Sequence, residues 1–136
     1  MADERIKDAK ALIDGGRWEF VYYTAGYAVE CALKACVLAR MIHTGWIFEE
    51  EVKRVEECGT HDFTKLIHIA GMLDDLNARL RQSAATSDYF VDNWNTVKKW
   101  TVTSRYKATP EADATELYAA ITDEPCGVLR WIRNYW

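Results

Sequence analysis

A chain of 136 residues fits one domain, residues 1–136, and a domain of this size buries roughly two-thirds of its unfolded surface. With 49% hydrophobic and 28% charged residues, the composition excludes a disordered chain. The formal net charge of −4 gives no basis for nucleic-acid binding over the whole surface, although it leaves local basic patches open.

The four cysteines, Cys31, Cys36, Cys58 and Cys126, form no CxxC pair and stand at no zinc-site spacing from the histidines. They read as reduced thiols, and no metal or cofactor is expected. The charged start, MADERIKDAK, lacks the apolar region of a signal peptide. No apolar run is long enough to span a membrane, so a cytoplasmic protein is expected.

In chain order, residues 2–14 read as an amphipathic helix with Ile6, Ala9 and Ile13 on one stripe. Gly15 and Gly16 stop it, and the short link makes the next helix an antiparallel neighbour. That second helix, about residues 17–42, is apolar almost all round and is the predicted spine of the fold. Trp18, Val21, Ala25, Ala28, Ala32, Cys36 and Ala39 form one stripe, and Tyr22, Val29, Leu33 and Val37 another. The small residues Ala25, Gly26, Ala28, Ala32 and Ala35 mark where neighbours approach closest. His43, Thr44 and Gly45 end the helix.

Residues 46–59 read as a short helix or a solvated excursion, with Glu49, Glu50 and Glu51 as a surface run. Thr60 or Asp62 caps a helix from Phe63 to about Leu73, weakened at Gly71. Residues 74–82 continue it or begin another, and residues 83–87 read as a turn. Ser87 or Asp88 then caps a helix over 89–102 whose face carries Phe90, Trp94, Val97 and Trp100. After an irregular stretch, Thr109 is expected to cap a last helix with Pro110 in its first turn. Pro125 kinks or splits that helix. No segment alternates with the period of a strand. The predicted fold is all-α, an up-and-down bundle of four main helices with short extra ones.

Two charges interrupt the spine. Glu30 and Lys34 stand at i, i+4 in the favourable order for an ion pair. A buried Glu30 needs a partner, and Arg105 is the first candidate because an arginine fork suits a carboxylate. Arg105 and Tyr106, adjacent in a loop, also suit an anion or a nucleobase. His61 and His68 lie seven residues apart, on one side of a helix if both are helical. The candidate polar cluster or ligand site is Glu30, Lys34, His61, Arg105 and Tyr106. No residue is assigned a catalytic role, since phosphate loops, dinucleotide fingerprints and nucleophile elbows are absent. The abundance of Trp and Tyr favours a homodimer.

The order of pieces resembles the HEPN family of helical-bundle proteins. Those pieces are Ala25-Gly26-Tyr27-Ala28-Val29-Glu30 with Leu33-Lys34-Ala35, then His61-Asp62-Phe63, then Ser104-Arg105-Tyr106. The resemblance covers nearly the whole chain. It implies a dimeric bundle that binds nucleotides or nucleic acid, or a partner resembling small nucleotidyltransferases in toxin–antitoxin pairs. Ribonuclease members carry an Arg, four to six residues, and a His near the start of the last bundle helix. Here Pro110, Glu111 and Ala112 follow Arg105 at that spacing, and no His follows His68. Arg54 and His61 have the spacing but stand before the third main helix. The expectation is therefore binding rather than catalysis. The alternatives are an RNA-cleaving toxin with a non-standard site and a purely structural interaction module.

Overall fold

The computed structural model describes residues 1–45 and 57–136. Arg54 and the acidic run at 49–51, together with most of the stretch read as a helix or an excursion, lie outside the described residues. The described elements are α1 (Ala2–Asp14), α2 (Trp18–Thr44), α3 (Phe63–Ile69), α4 (Leu73–Thr86), α5 (Phe90–Val97), a 3-10 turn (Val102–Tyr106), α6 (Glu111–Thr122), α7 (Val128–Ile132) and a final 3-10 turn (Arg133–Tyr135). No strand occurs among the described residues, and the fold is all-α.

Helix α2 is the spine. It contacts α1, α3, the 3-10 turn over Val102–Tyr106, α6, α7 and the final 3-10 turn. Its stripe of Val21, Ala25, Ala28, Ala32 and Cys36 is buried, as are Val29, Leu33 and Val37. Short side chains at Ala25, Ala28 and Ala32 let α1 and α6 lie close to its backbone. α1 packs along α2 after the Gly15–Gly16 turn, where Gly16 takes φ 65°, a conformation glycine adopts at little cost. The prediction of a helix sealed all round fails on one side: Ala35, Leu38 and Ile42 are exposed.

Beyond α2 the boundaries shift for local reasons. α3 stops at Ile69 because Gly71 turns left-handed at φ 73°, while the Arg40 guanidinium takes the carbonyl of Ile69 at 2.9 Å. A Cβ at residue 71 would come within 2.4 Å of Arg40 Nη1, so α4 begins as a separate helix. The predicted turn over 83–87 is instead the last turn of α4. Ser83 is buried there, donating to Asp88 and accepting from the Val91 N–H at 3.1 Å. That bridge between α4 and α5 suits a residue read from sequence only as a turn former. The actual reversal is at Ser87, with φ 55°.

α5 is shorter than predicted, ending at Val97, yet Phe90, Trp94, Val97 and Trp100 all reach the core. The chain then closes into the 3-10 turn, whose Ser104 hydroxyl caps the Thr101 N–H. Pro110, rather than Thr109, occupies the cap position of α6, and no side chain caps that end. Residues 123–127, around Pro125, separate α6 from α7 as predicted.

Candidate functional site

The site begins with Glu30, which is 1% exposed halfway along α2. A carboxylate at this depth requires donors. Both reach the same oxygen: Lys34 Nζ donates to Oε1 from one turn along the helix at 2.8 Å, and His61 Nδ1 meets Oε1 at 2.8 Å from the chain before α3. The second oxygen, Oε2, is buried without a partner among the described residues. The two donors keep their outer faces in water, with Lys34 and His61 respectively 36% and 47% exposed. Glu30 thus anchors two surface groups from inside.

The loop that carries His61 is fixed on both sides. Thr60 Oγ1 accepts from the Asp62 N–H at 3.1 Å, and Asp62 caps α3 by accepting from the Lys65 N–H at 3.0 Å. These bonds, one of them to α3 itself, fix the backbone on which the imidazole meets Glu30. An ionised carboxylate only accepts, so Nδ1 carries the proton in this contact. Nε2 then faces away from Glu30, with a lone pair in the neutral ring and a second N–H in the imidazolium.

His61 opens onto a cleft of about 280 Å³ whose walls include Thr64, Lys98, Trp100, Thr101 and Val102. Its floor is aromatic. Trp100 stacks on Phe63 at 5.2 Å between centroids and leans on Tyr23 at 6.1 Å. The indole lies directly on Gly26, where a Cβ would fall 2.3 Å from its ring. A glycine in the middle of a helix costs stability, and here the close approach of Trp100 explains it. Trp100 Nε1 is buried with no partner among the described residues. Gly26 and Glu30 are one turn apart on α2, so the unpaired donor of Trp100 and the unpaired acceptor of Glu30 belong to one stretch of the spine.

The cleft wall carries one base, Lys98, and one acid, Asp62. Between Asp92 and Glu111 the chain carries Lys98, Lys99, Arg105 and Lys107 and no acidic residue. Val102 in the cleft wall starts the 3-10 turn that ends in Arg105 and Tyr106. A second cavity, of about 700 Å³, is lined by Glu57, Thr60, Thr64, Lys65, His68 and Leu73. Among the described residues, no buried carboxylate contacts its histidine.

Of the five predicted residues, Glu30, Lys34 and His61 come together. Arg105 does not take its predicted place as the partner of Glu30. Its guanidinium sits over the Tyr106 ring at 4.7 Å, and both side chains are exposed at the end of the 3-10 turn. His61 fills the role instead, because the Asp62 cap turns the chain inward just before α3. His61 precedes α3 and His68 lies within it, so the two do not form a helical pair. Lys98 and Trp100 were not singled out as site residues from sequence. The mid-helix Gly26 was the available signal for the approach of Trp100.

No curated protein and no solved structure matches the chain significantly. A family model described as the HEPN domain matches residues 1–124 of the 136, a span that includes every residue of the cleft and of the Glu30 contact. The chain therefore belongs to the HEPN domain family.

Proposed function

We propose that the protein acts by binding, as a homodimer, and that the cleft beside His61 receives the phosphate of a nucleotide or RNA. The observation that carries this reading is the double contact on Glu30. One buried carboxylate orients Lys34 and His61, while Lys98 and the hydroxyls of Thr64 and Thr101 stand on the cleft wall. Oriented donors lose less entropy on binding an anion than free surface lysines do. The acid-free segment from Lys98 to Lys107 extends the attraction along a polynucleotide. Exposed Tyr106, with Arg105 on its face, supplies a surface on which a base stacks. A nucleotidyltransferase-like protein partner remains part of the same reading, as the source or recipient of the bound nucleotide.

Calorimetric titration with nucleotides and short single-stranded RNAs tests it. Binding that weakens about tenfold in Lys98→Ala and falls with added salt is expected. No heat from any of these ligands with the helices intact would remove the reading.

A second reading, RNA cleavage, has one observation in its favour. The Glu30–His61 contact is that of a carboxylate orienting an imidazole for proton transfer. His61 Nε2 would take the proton of a ribose 2′-hydroxyl. Cleavage by the wild type that disappears in His61→Ala supports it. Equal residual cleavage in both attributes the activity to a contaminant.

A further inference from the structure

A separate cleft of about 200 Å³ lies where α4, the start of α5 and α7 meet. Arg79 of α4, Phe90 of α5, and Gly127, Arg130 and Trp131 at α7 line it, and it shares no lining residue with the cleft beside His61. Among the described residues that line it, none is acidic. Its aromatic wall is ordered. Phe90 meets Trp131 edge to face at 5.7 Å between centroids, and the Arg79 guanidinium lies over the Phe90 ring at 4.4 Å. The Arg79 side chain is 20% exposed and gives Nη2 to Asp88 at 2.9 Å, while Nη1 is buried with no partner among the described residues. A buried guanidinium nitrogen without an acceptor is costly and uncommon in a folded protein. Arg130, from α7, pairs through Nη1 with Glu124, and both side chains are more than half exposed.

We propose that this cleft binds a phosphate group, held between the guanidiniums of Arg79 and Arg130. A phosphate carries close to two negative charges at neutral pH and presents its oxygens in several directions. That suits two guanidiniums arriving from different helices, each with N–H groups left over from its contact within the chain. The acids already present do not close the site. Asp88 takes one nitrogen of Arg79 and also accepts from the Ser83 hydroxyl and the Phe90 N–H, so it is committed to the α4–α5 junction. Glu124 and Arg130 form a surface pair, which contributes little and yields to a dianion. The volume is below the roughly 300–1,000 Å³ of sites for drug-sized ligands, so the cleft takes the phosphate and leaves any nucleoside attached to it outside. Gly127, Arg130 and Trp131 follow residue 124 and lie outside the span matched by the family. The proposal does not depend on RNA binding beside His61.

Titration of the full chain with inorganic phosphate at constant ionic strength tests the proposal, with NMR following the side-chain N–H signals of Arg79 and Arg130 and the Trp131 indole. The expected result is a saturable shift of these signals. Its affinity falls about tenfold in Arg130→Gln, rises in Glu124→Gln, where the competing acid is gone, and is unchanged in His61→Ala. Circular dichroism checks each variant, and Glu124→Gln decides the question if Arg130→Gln loses helicity. Adenosine monophosphate is the second probe. The same shifts from it identify an esterified phosphate as the ligand, and shifts from inorganic phosphate alone identify the free anion. A wild type whose Arg79 and Arg130 signals show no saturable shift overturns the proposal, as does one affinity shared by the wild type, Arg130→Gln and Glu124→Gln. Phosphate that shifts His61 and leaves both arginines unmoved also overturns it, while the reading of the first cleft stands.

Discussion

His61 Nδ1 lies 2.8 Å from Oε1 of Glu30, a carboxylate enclosed by the central helix and its neighbours. The contact joins residues 31 positions apart and fixes the loop before α3 to the spine. Lys34 shares the same oxygen. Removing the charge separates what this arrangement contributes to folding from what it contributes to binding. Glu30→Gln keeps the shape and loses about 1–3 kcal/mol from the charged hydrogen bonds. It also frees His61 and Lys34, so RNA affinity falls even at temperatures where the variant is fully folded. Melting curves and titrations on the same sample check both. A variant that melts earlier yet binds like the wild type would assign Glu30 to the fold alone.

Gly26 supports the Trp100 ring from below. Elsewhere in a helix Gly→Ala gains about 1 kcal/mol from propensity. Here the added methyl meets the indole at 2.3 Å, so Gly26→Ala is expected to destabilise by about 1–3 kcal/mol through overpacking. Denaturant midpoints followed by tryptophan fluorescence read this. A stabilised variant would mean that Trp100 moves away at no cost. Trp100→Ala removes the cleft floor and is expected to cost about 3–5 kcal/mol.

Asp88 joins α4 to α5. The Ser83 hydroxyl and the Phe90 N–H donate to it, and Arg79 pairs with it at 2.9 Å. These donors, the Ser83 hydroxyl first, hold its carboxyl below the ordinary carboxylate range. A carboxyl lowered on folding stabilises above its unfolded pKa, and that stability is lost as pH falls through the lowered value. Asp88→Asn should therefore cost about 1 kcal/mol at neutral pH. The difference from wild type should shrink as pH drops below about 4. A difference independent of pH would rule out the ionised carboxylate as the source.

Cys36 is buried against the Ile132 carbonyl, and burial pushes its thiol up to about 11. At pH 8 almost none of it is thiolate, the form that reacts. Thiol reagents should label the half-buried Cys58 well before Cys36, with mass spectrometry following the order. Early labelling of Cys36 would show that α7 opens away from α2.

The helical plan was legible because period and punctuation agreed. The residues 2–14 stripe ended at paired glycines, and the apolar run of α2 ended at Gly45, so both helices were read nearly to the residue. The division at Gly71 was only half legible: glycine gave the weakness, but the Arg40 side chain that fills the space comes from another helix. Ser83 misled because a buried serine and a turn serine are the same letter. In the site, Glu30 and Lys34 were legible from local spacing. Their third member was misassigned to Arg105, since long-range contacts leave no periodic trace. His61 reaches Glu30 through the cap at Asp62, and no count of residues predicts where that turn aims. The exposure of Ala35, Leu38 and Ile42 was illegible for a related reason: these residues look like core, and only the positions of the described helices show that α1, α3 and α6 do not cover them.

The central claim is that His61, held by Glu30, faces a phosphate-binding cleft. Nitrogen-detected NMR of the three imidazoles, His43, His61 and His68, during addition of a short single-stranded RNA tests it most directly. The expected result is a change at His61 Nε2, retention of the Nδ1 proton on the Glu30 side, and unmoved signals from His43 and His68. Saturable RNA binding that shifts His68 and leaves His61 unchanged would contradict it.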